Sequence, residues 1–170
     1  MAELTPRERL QPALLDRLID TEPDKKQEPR ESRLINKKRL HEAVLRDLAW
    51  LFNTTRLGGE LELGGYEYAR HSVINFGLPA LSGETASTLD MVSLEQTIKQ
   101  VILDYEPRIM PASLQVQALA SASMLEQHNI VSIQIRGNLW AQPIPLELLL
   151  RTDVDLETGA VEIRDLGKSG

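Results

Sequence analysis

Cysteine is missing from all 170 residues, which excludes disulfides and thiolate metal sites and accords with a reducing compartment. Long apolar runs are missing too. No stretch approaches the roughly 20 apolar residues that cross a bilayer as a helix, and the opening MAELTPRERL lacks the apolar run of a secretory signal. A cytoplasmic location without direct membrane insertion is therefore expected. Positive charge is not in excess: the formal net charge is -6 and the pI is near 5.1. Broad nucleic-acid binding needs cations that displace counterions from phosphates, so no nucleic-acid partner is expected.

The motifs of common chemistries are lacking as well. His41, His71 and His128 are far apart and form no HExxH pattern; His41 reads as part of a solvated helix face. Gly58-Gly59 is followed by acids that would repel a phosphate, and no GxSxG elbow accompanies the serines. No catalytic residue, cofactor-binding residue or metal ligand is assigned, and no cofactor is expected.

What is present is the pattern of one ordinary domain. Hydrophobic residues make up 42% and charged residues 26% of the chain, as in globular proteins. Leu10, Leu14, Leu15, Leu18 and Ile19 recur at helical spacing over Leu10 to Asp20, with Pro12 suited to a first turn. Thr21 to Arg33 is polar and carries Pro23 and Pro29, so it reads as a mobile linker. From Asn36, an expected N-cap, Leu40, Val44, Leu48 and Leu51 form an apolar stripe that Leu45 and Phe52 widen. Asn53 to Asp90 reads as loops with short extended pieces. A second long helix is expected from a Ser93–Gln96 capping box, through Leu94, Ile98, Val101, Ile102 and Tyr105, to a stop at Pro107.

Beyond it the period changes to two. Leu114, Val116 and Ala118 alternate with polar residues, and so do Val131, Ile133 and Ile135. Two further strands, about Glu147 to Val154 and Ala160 to Arg164, flank a hairpin-like turn at residues 155–159. The expected fold is α+β: an antiparallel or mixed sheet covered on one face by two longer helices and preceded by a short amphipathic helix. Residues 1–33 form the leading helix and linker, and 34–170 the domain.

Glu106-Pro107-Arg108 places a carboxylate and a guanidinium around a rigid proline at a helix exit. The simpler reading is a helix stop and a surface turn, and Glu28-Pro29-Arg30 in the linker shows how readily the tripeptide recurs. A glycosidase pair needs two carboxyl groups roughly 5 to 9.5 Å apart, one with a raised pKa. An arginine paired with Glu106 favours the ionised form instead, and Glu60, Glu62 and Glu67 lie in a glycine-rich stretch without rigid support. Trp50 and Trp140 read by default as core or rim packing. Trp140 is the better interface anchor, because Gln142-Pro143-Ile144-Pro145 keeps the following stretch out of regular pairing.

Several segments, in order, carry a family resemblance: Leu10 to Leu18, Val44 to Thr54, Ser72 to Pro79, Glu106-Pro107-Arg108, and Leu148 to Gly159. Together they resemble the TssE family of type VI secretion baseplate subunits, related to a small baseplate-wedge subunit of contractile-tailed phages. The family is sometimes labelled lysozyme-like. The resemblance implies a structural subunit and not an enzyme. It joins the wedge subunits TssF, TssG and TssK in a cytoplasmic baseplate docked at the inner-membrane complex, where the sheath of TssB and TssC begins to polymerise.

It also implies that Glu106, Pro107 and Arg108 take part in the wedge contact. A rigid charged corner makes directional hydrogen bonds to a partner. A free sheet edge accepts a strand from a sheath subunit, and Leu14, Leu15 and Leu18 dock into a wedge partner on their polar tether. The expected partner-binding residues are thus Glu106, Pro107, Arg108, Leu14, Leu15, Leu18 and Trp140. The alternatives are a peptidoglycan-hydrolysing enzyme and a stand-alone regulatory adaptor.

Overall fold

A computed structural model describes residues 13–19, 37–57, 65–81, 89–119, 129–141 and 144–167, with the single positions 24, 63 and 83. Helix α1 is Leu14–Leu18, and Ile19 after it is already extended. Leu10 to Pro12 and Asp20, the rest of the expected helix, lie outside the described residues. So do all but Asp24 of the expected linker, the boundary at 33/34 and the expected cap Asn36.

Helix α2, Lys37–Phe52, buries Leu40, Ala43, Val44, Leu48, Leu51 and Phe52, the stripe its periodicity predicts. The expectation for His41 is corrected. Its side chain is only 16% exposed and its Nδ1 stands 3.7 Å from Asp165 Oδ2, because the fourth strand packs beside α2. The irregular stretch that follows holds a one-turn helix α3, Glu67–Arg70, and a 3₁₀ turn at Val73–Asn75.

Helix α4, Met91–Tyr105, buries Leu94, Ile98, Val101 and Ile102. The expected capping box is also corrected. The cap is Asp90, whose side chain accepts from the Val92 N–H at 3.1 Å, so Ser93 and Gln96 lie inside the helix. An aspartate three residues upstream offers the same acceptor and lengthens the helix by a turn.

The sheet is a meander of β1 (Gln115–Leu119), β2 (Ile130–Leu139), β3 (Leu146–Asp155) and β4 (Val161–Asp165) in spatial order β1-β2-β3-β4. Every neighbouring pair is antiparallel. The turn closing β3 onto β4 has the expected hairpin form: Gly159 at φ +75 donates to Asp155 O at 2.7 Å, and Asp155 Oδ1 accepts from Glu157 and Thr158 N–H groups. Val131, Ile133, Ile135 and Leu139 of β2 stand opposite Val154, Thr152, Leu150 and Leu146 of β3, so one face collects the apolar side chains. That face joins the buried faces of α2 and α4 in a single core cluster.

Side chains from the helical layer occupy both outer strand edges. Asn53 donates to Val161 O at 2.9 Å and accepts from Val161 N at 3.0 Å. Glu95 Oε1 accepts from Ala118 N at 2.6 Å. Each edge thus has backbone groups satisfied by a side chain where a neighbouring strand would otherwise pair.

The loop beyond α2 returns through a two-bond parallel bridge. Leu78 N donates to Thr54 O and Arg56 N to Leu78 O, both at 2.8 Å. Gly77 permits it, with φ +120 and a hypothetical Cβ only 2.1 Å from Thr54 O. Replacing Gly77 with alanine therefore forces the bridge open and should cost at least about 2 kcal/mol in urea unfolding. Gly65→Ala, whose added Cβ meets nothing within 4 Å, should leave the midpoint nearly unchanged.

Candidate functional site

Pro107 cannot continue a helix, so α4 stops and its last turn folds inward. Glu106 keeps a helical bond from its N–H to Ile102 O at 2.8 Å and leaves the helical conformation as the C-cap, at φ -120 and ψ 76. Its side chain is only 3% exposed. A carboxylate so placed needs a cation and hydrogen bonds, and Arg108 supplies both. Glu106 Oε1 accepts from Arg108 Nε at 2.6 Å and from Arg108 N at 3.2 Å, while Oε2 accepts from Arg108 Nη2.

The same guanidinium reaches α2. Arg108 Nη2 donates to Asp47 Oδ2 at 2.6 Å, Arg46 Nε donates to Asp47 Oδ1 at 2.9 Å, and Arg46 Nη1 donates to Asp16 Oδ1 at 2.8 Å. Charges of alternating sign thus run from the α4 exit across α2 to α1. Arg46 also lies 5.2 Å over the Trp50 ring, within cation–π range. Burial pulls the Arg108 pKa down, but the hydrogen bonds and charge of Glu106, then Asp47, outweigh it and hold the group above its ordinary value. Burial opposes Arg46 in the same way, and Asp16 and Asp47 outweigh it.

The backbone of the corner is stitched to the end of β2. Trp140 N donates to Arg108 O and Met110 N to Asn138 O, both at 2.8 Å, so Trp140 emerges beside the corner, 57% exposed. A groove of about 500 Å³ opens alongside, with Leu15, Trp50, Phe76 and Tyr105 on its apolar walls and Asp47 and Arg108 at its charged end. Phe76 and Tyr105 meet edge-to-face at 5.3 Å, and Tyr105 OH donates to Ser72 O at 2.9 Å.

Of the residues expected from sequence, Glu106, Pro107, Arg108, Leu15 and Trp140 are brought to this corner. Leu14 and Leu18 point to solvent, 71% and 73% exposed. Glu106 and Arg108 are bonded to each other and to α2, so the open surface of the corner is Pro107, the groove and Trp140. Sequence reasoning passed over Asp16, Arg46 and Asp47, and it read Trp50 only as core or rim packing. Adjacent Arg46-Asp47 between the apolar residues Leu45 and Leu48 was the available signal, since a charged pair bordering a buried stripe needs partners.

On the sheet's outer face a second ionic group links three strands. Asp153 Oδ1 accepts from Ser132 Oγ at 2.6 Å and Arg151 Nε at 3.1 Å, and Asp153 Oδ2 is 3.7 Å from Arg164 Nη1. Burial alone would raise the Asp153 carboxyl; Ser132, Arg151 and Arg164 more than offset this and hold it below its ordinary value.

Compared with known families, residues 38–144 match the family described as Baseplate wedge protein gp25. The chain belongs to that family. The match spans more than half of the chain and takes in α2, α4, the Glu106–Arg108 corner and Trp140, and TssE falls within the same family. Membership gives the chain a structural role of the phage-tail baseplate kind, in contact with other baseplate components. Helix α1 and strands β3 and β4 lie outside the matched range. Comparisons with curated proteins and with solved structures returned no match.

Two outcomes follow from the charges. Arg108→Ala strands the buried Glu106 carboxylate and should destabilise the fold by about 3 kcal/mol in urea titration, and adding Glu106→Gln should restore part of that loss. The depressed Asp153 pKa contributes stability that is complete above the unfolded value, about 3.9, and is lost as pH falls through the folded value. Asp153→Asn should therefore unfold more easily than wild type at pH 6, and the gap should narrow at pH 2.5.

Proposed function

We propose that the chain serves as the TssE-type baseplate subunit of a type VI secretion system, joining TssF, TssG and TssK in the cytoplasm at the inner-membrane complex. From there it helps TssB and TssC begin the contractile sheath. The observation that carries this reading is the family match over the helices and the corner. In this reading residues 1–33 act as an arm and 34–170 as the wedge domain.

The geometry suits a scaffold. Both Glu106 oxygens accept from Arg108, so the carboxylate is committed to holding the corner and is poorly placed to give a proton to a glycosidic oxygen. Pro107, the groove walls and Trp140 supply an apolar, preorganised contact patch of the kind that anchors protein interfaces. Leu14 and Leu18 add a second apolar contact, held near the corner by the Asp16–Arg46 bond. The outer edges of β1 and β4 offer backbone for strand addition.

Arg108 is a poor probe of the contact because its loss also weakens the fold. Exposed residues separate the two effects. In a pull-down of co-expressed wedge subunits, wild type should retain TssF and TssG. Trp140→Ala and the double change Leu14→Ser, Leu18→Ser should keep wild-type circular dichroism yet retain at least about tenfold less partner, the scale of an interface anchor. Retention by none of the proteins, wild type included, overturns the baseplate reading; equal retention by all overturns the assignment of these residues.

A further inference from the structure

Tyr105 separates the apolar groove from a second cavity of about 570 Å³, whose polar walls include Arg56, Arg70, His71, Gln96, Gln100 and Asp104. Most of its charges are already matched. Asp104 Oδ1 accepts from Gln100 Nε2 at 2.8 Å, and Asp104 Oδ2 lies 3.2 Å from His71 Nδ1. His71 Nε2 is 3.3 Å from Arg70 Nη2. A single neutral tautomer satisfies all of these contacts, with His71 Nδ1–H donating to Asp104 and Nε2 accepting from Arg70.

Arg56 differs. Its backbone is pinned, because Arg56 N donates to Leu78 O at 2.8 Å in the bridge that Gly77 makes possible. Yet its Nε–H is buried and has no acceptor among the described residues. A guanidinium donor withdrawn from water without an acceptor is a standing cost, and the ligand that relieves it best is a carboxylate taken by the planar fork.

We propose that this cavity receives an acidic side chain from an extended segment of a partner protein, its carboxylate pairing with the Arg56 guanidinium. Two features favour a peptide carboxylate over a phosphate. Asp104 stands in the same cavity, so a phosphate of nearly two negative charges is opposed more strongly than a carboxylate of one. Gln96 and Thr97 line it with amide and hydroxyl groups that match a peptide backbone. The inference rests on the baseplate reading and deepens it by naming the chemistry of one partner contact.

The test is a nitrogen-15 NMR titration of the full chain with capped Gly-Glu-Gly, using capped Gly-Gln-Gly and inorganic phosphate as comparisons. The Glu peptide should shift the Arg56 Nε–H resonance and the Gly77 and Thr97 amides saturably, and the Gln peptide should not. Arg56→Gln, with unchanged circular dichroism and Tm, should weaken the Glu-peptide shifts at Gly77 and Thr97 by at least about tenfold, the worth of one charged bidentate contact. Arg56→Lys, which keeps the charge but loses the fork, should fall between the two. Equal shifts with both peptides, tighter binding of phosphate, or no saturation by about 50 mM peptide would each overturn the proposal. Because the titration uses no baseplate subunit, its failure alongside a successful TssF and TssG pull-down rejects this site and leaves the baseplate reading in place.

Discussion

The architecture depends on a single guanidinium shared between two acids. Arg108 sits on the turn that leaves α4, and its partners are the buried Glu106 two residues away and Asp47, 61 residues earlier in α2. The apolar stripes of both helices also join one core cluster, but an apolar stripe tolerates sliding and rotation. A fork bonded to two fixed carboxylates does not. Arg108 therefore fixes how α2 sits against the corner, and with it the width of the groove between Trp50 and Tyr105. The stitching of residues 108–110 to 138–140 carries the same constraint into β2.

The elements with strong periodicity were legible in the sequence. The stripes of α2 and α4 and the alternation in β2 follow from burial on one face, and burial decides secondary structure where it is repeated. Boundaries were less legible: Asp90 and Ser93–Gln96 are both adequate caps, and local chemistry does not choose between them. His41 was misjudged for a different reason. Its neighbour Asp165 comes from the far end of the chain, and helix periodicity says nothing of what a later strand will place beside a flank.

The corner was half legible. Glu106, Pro107 and Arg108 stand out because proline fixes the exit of a helix, but the sequence left open whether the two charges face a partner or each other. Burial of Glu106 answers in favour of each other, and it brings Asp47, Arg46 and Asp16 into the account. What the charges leave open at the corner is what they hold in place: a proline edge, an apolar groove and an exposed tryptophan. Ionic groups here set geometry, and apolar groups are left to supply area, the usual division where precise orientation and affinity are both needed.

The side chains seated on the two sheet edges act as a length filter. An incoming strand at β1 must displace Glu95 from the Ala118 N–H, and at β4 it must displace Asn53 from both groups of Val161. Each net hydrogen bond is worth about 1 kcal/mol, so a glancing encounter that forms a single backbone bond at β1, or two at β4, gains no more than it loses. A strand that pairs along the full five residues of either edge gains several. Short pairings therefore gain little at either edge, and only a full-length pairing has a surplus.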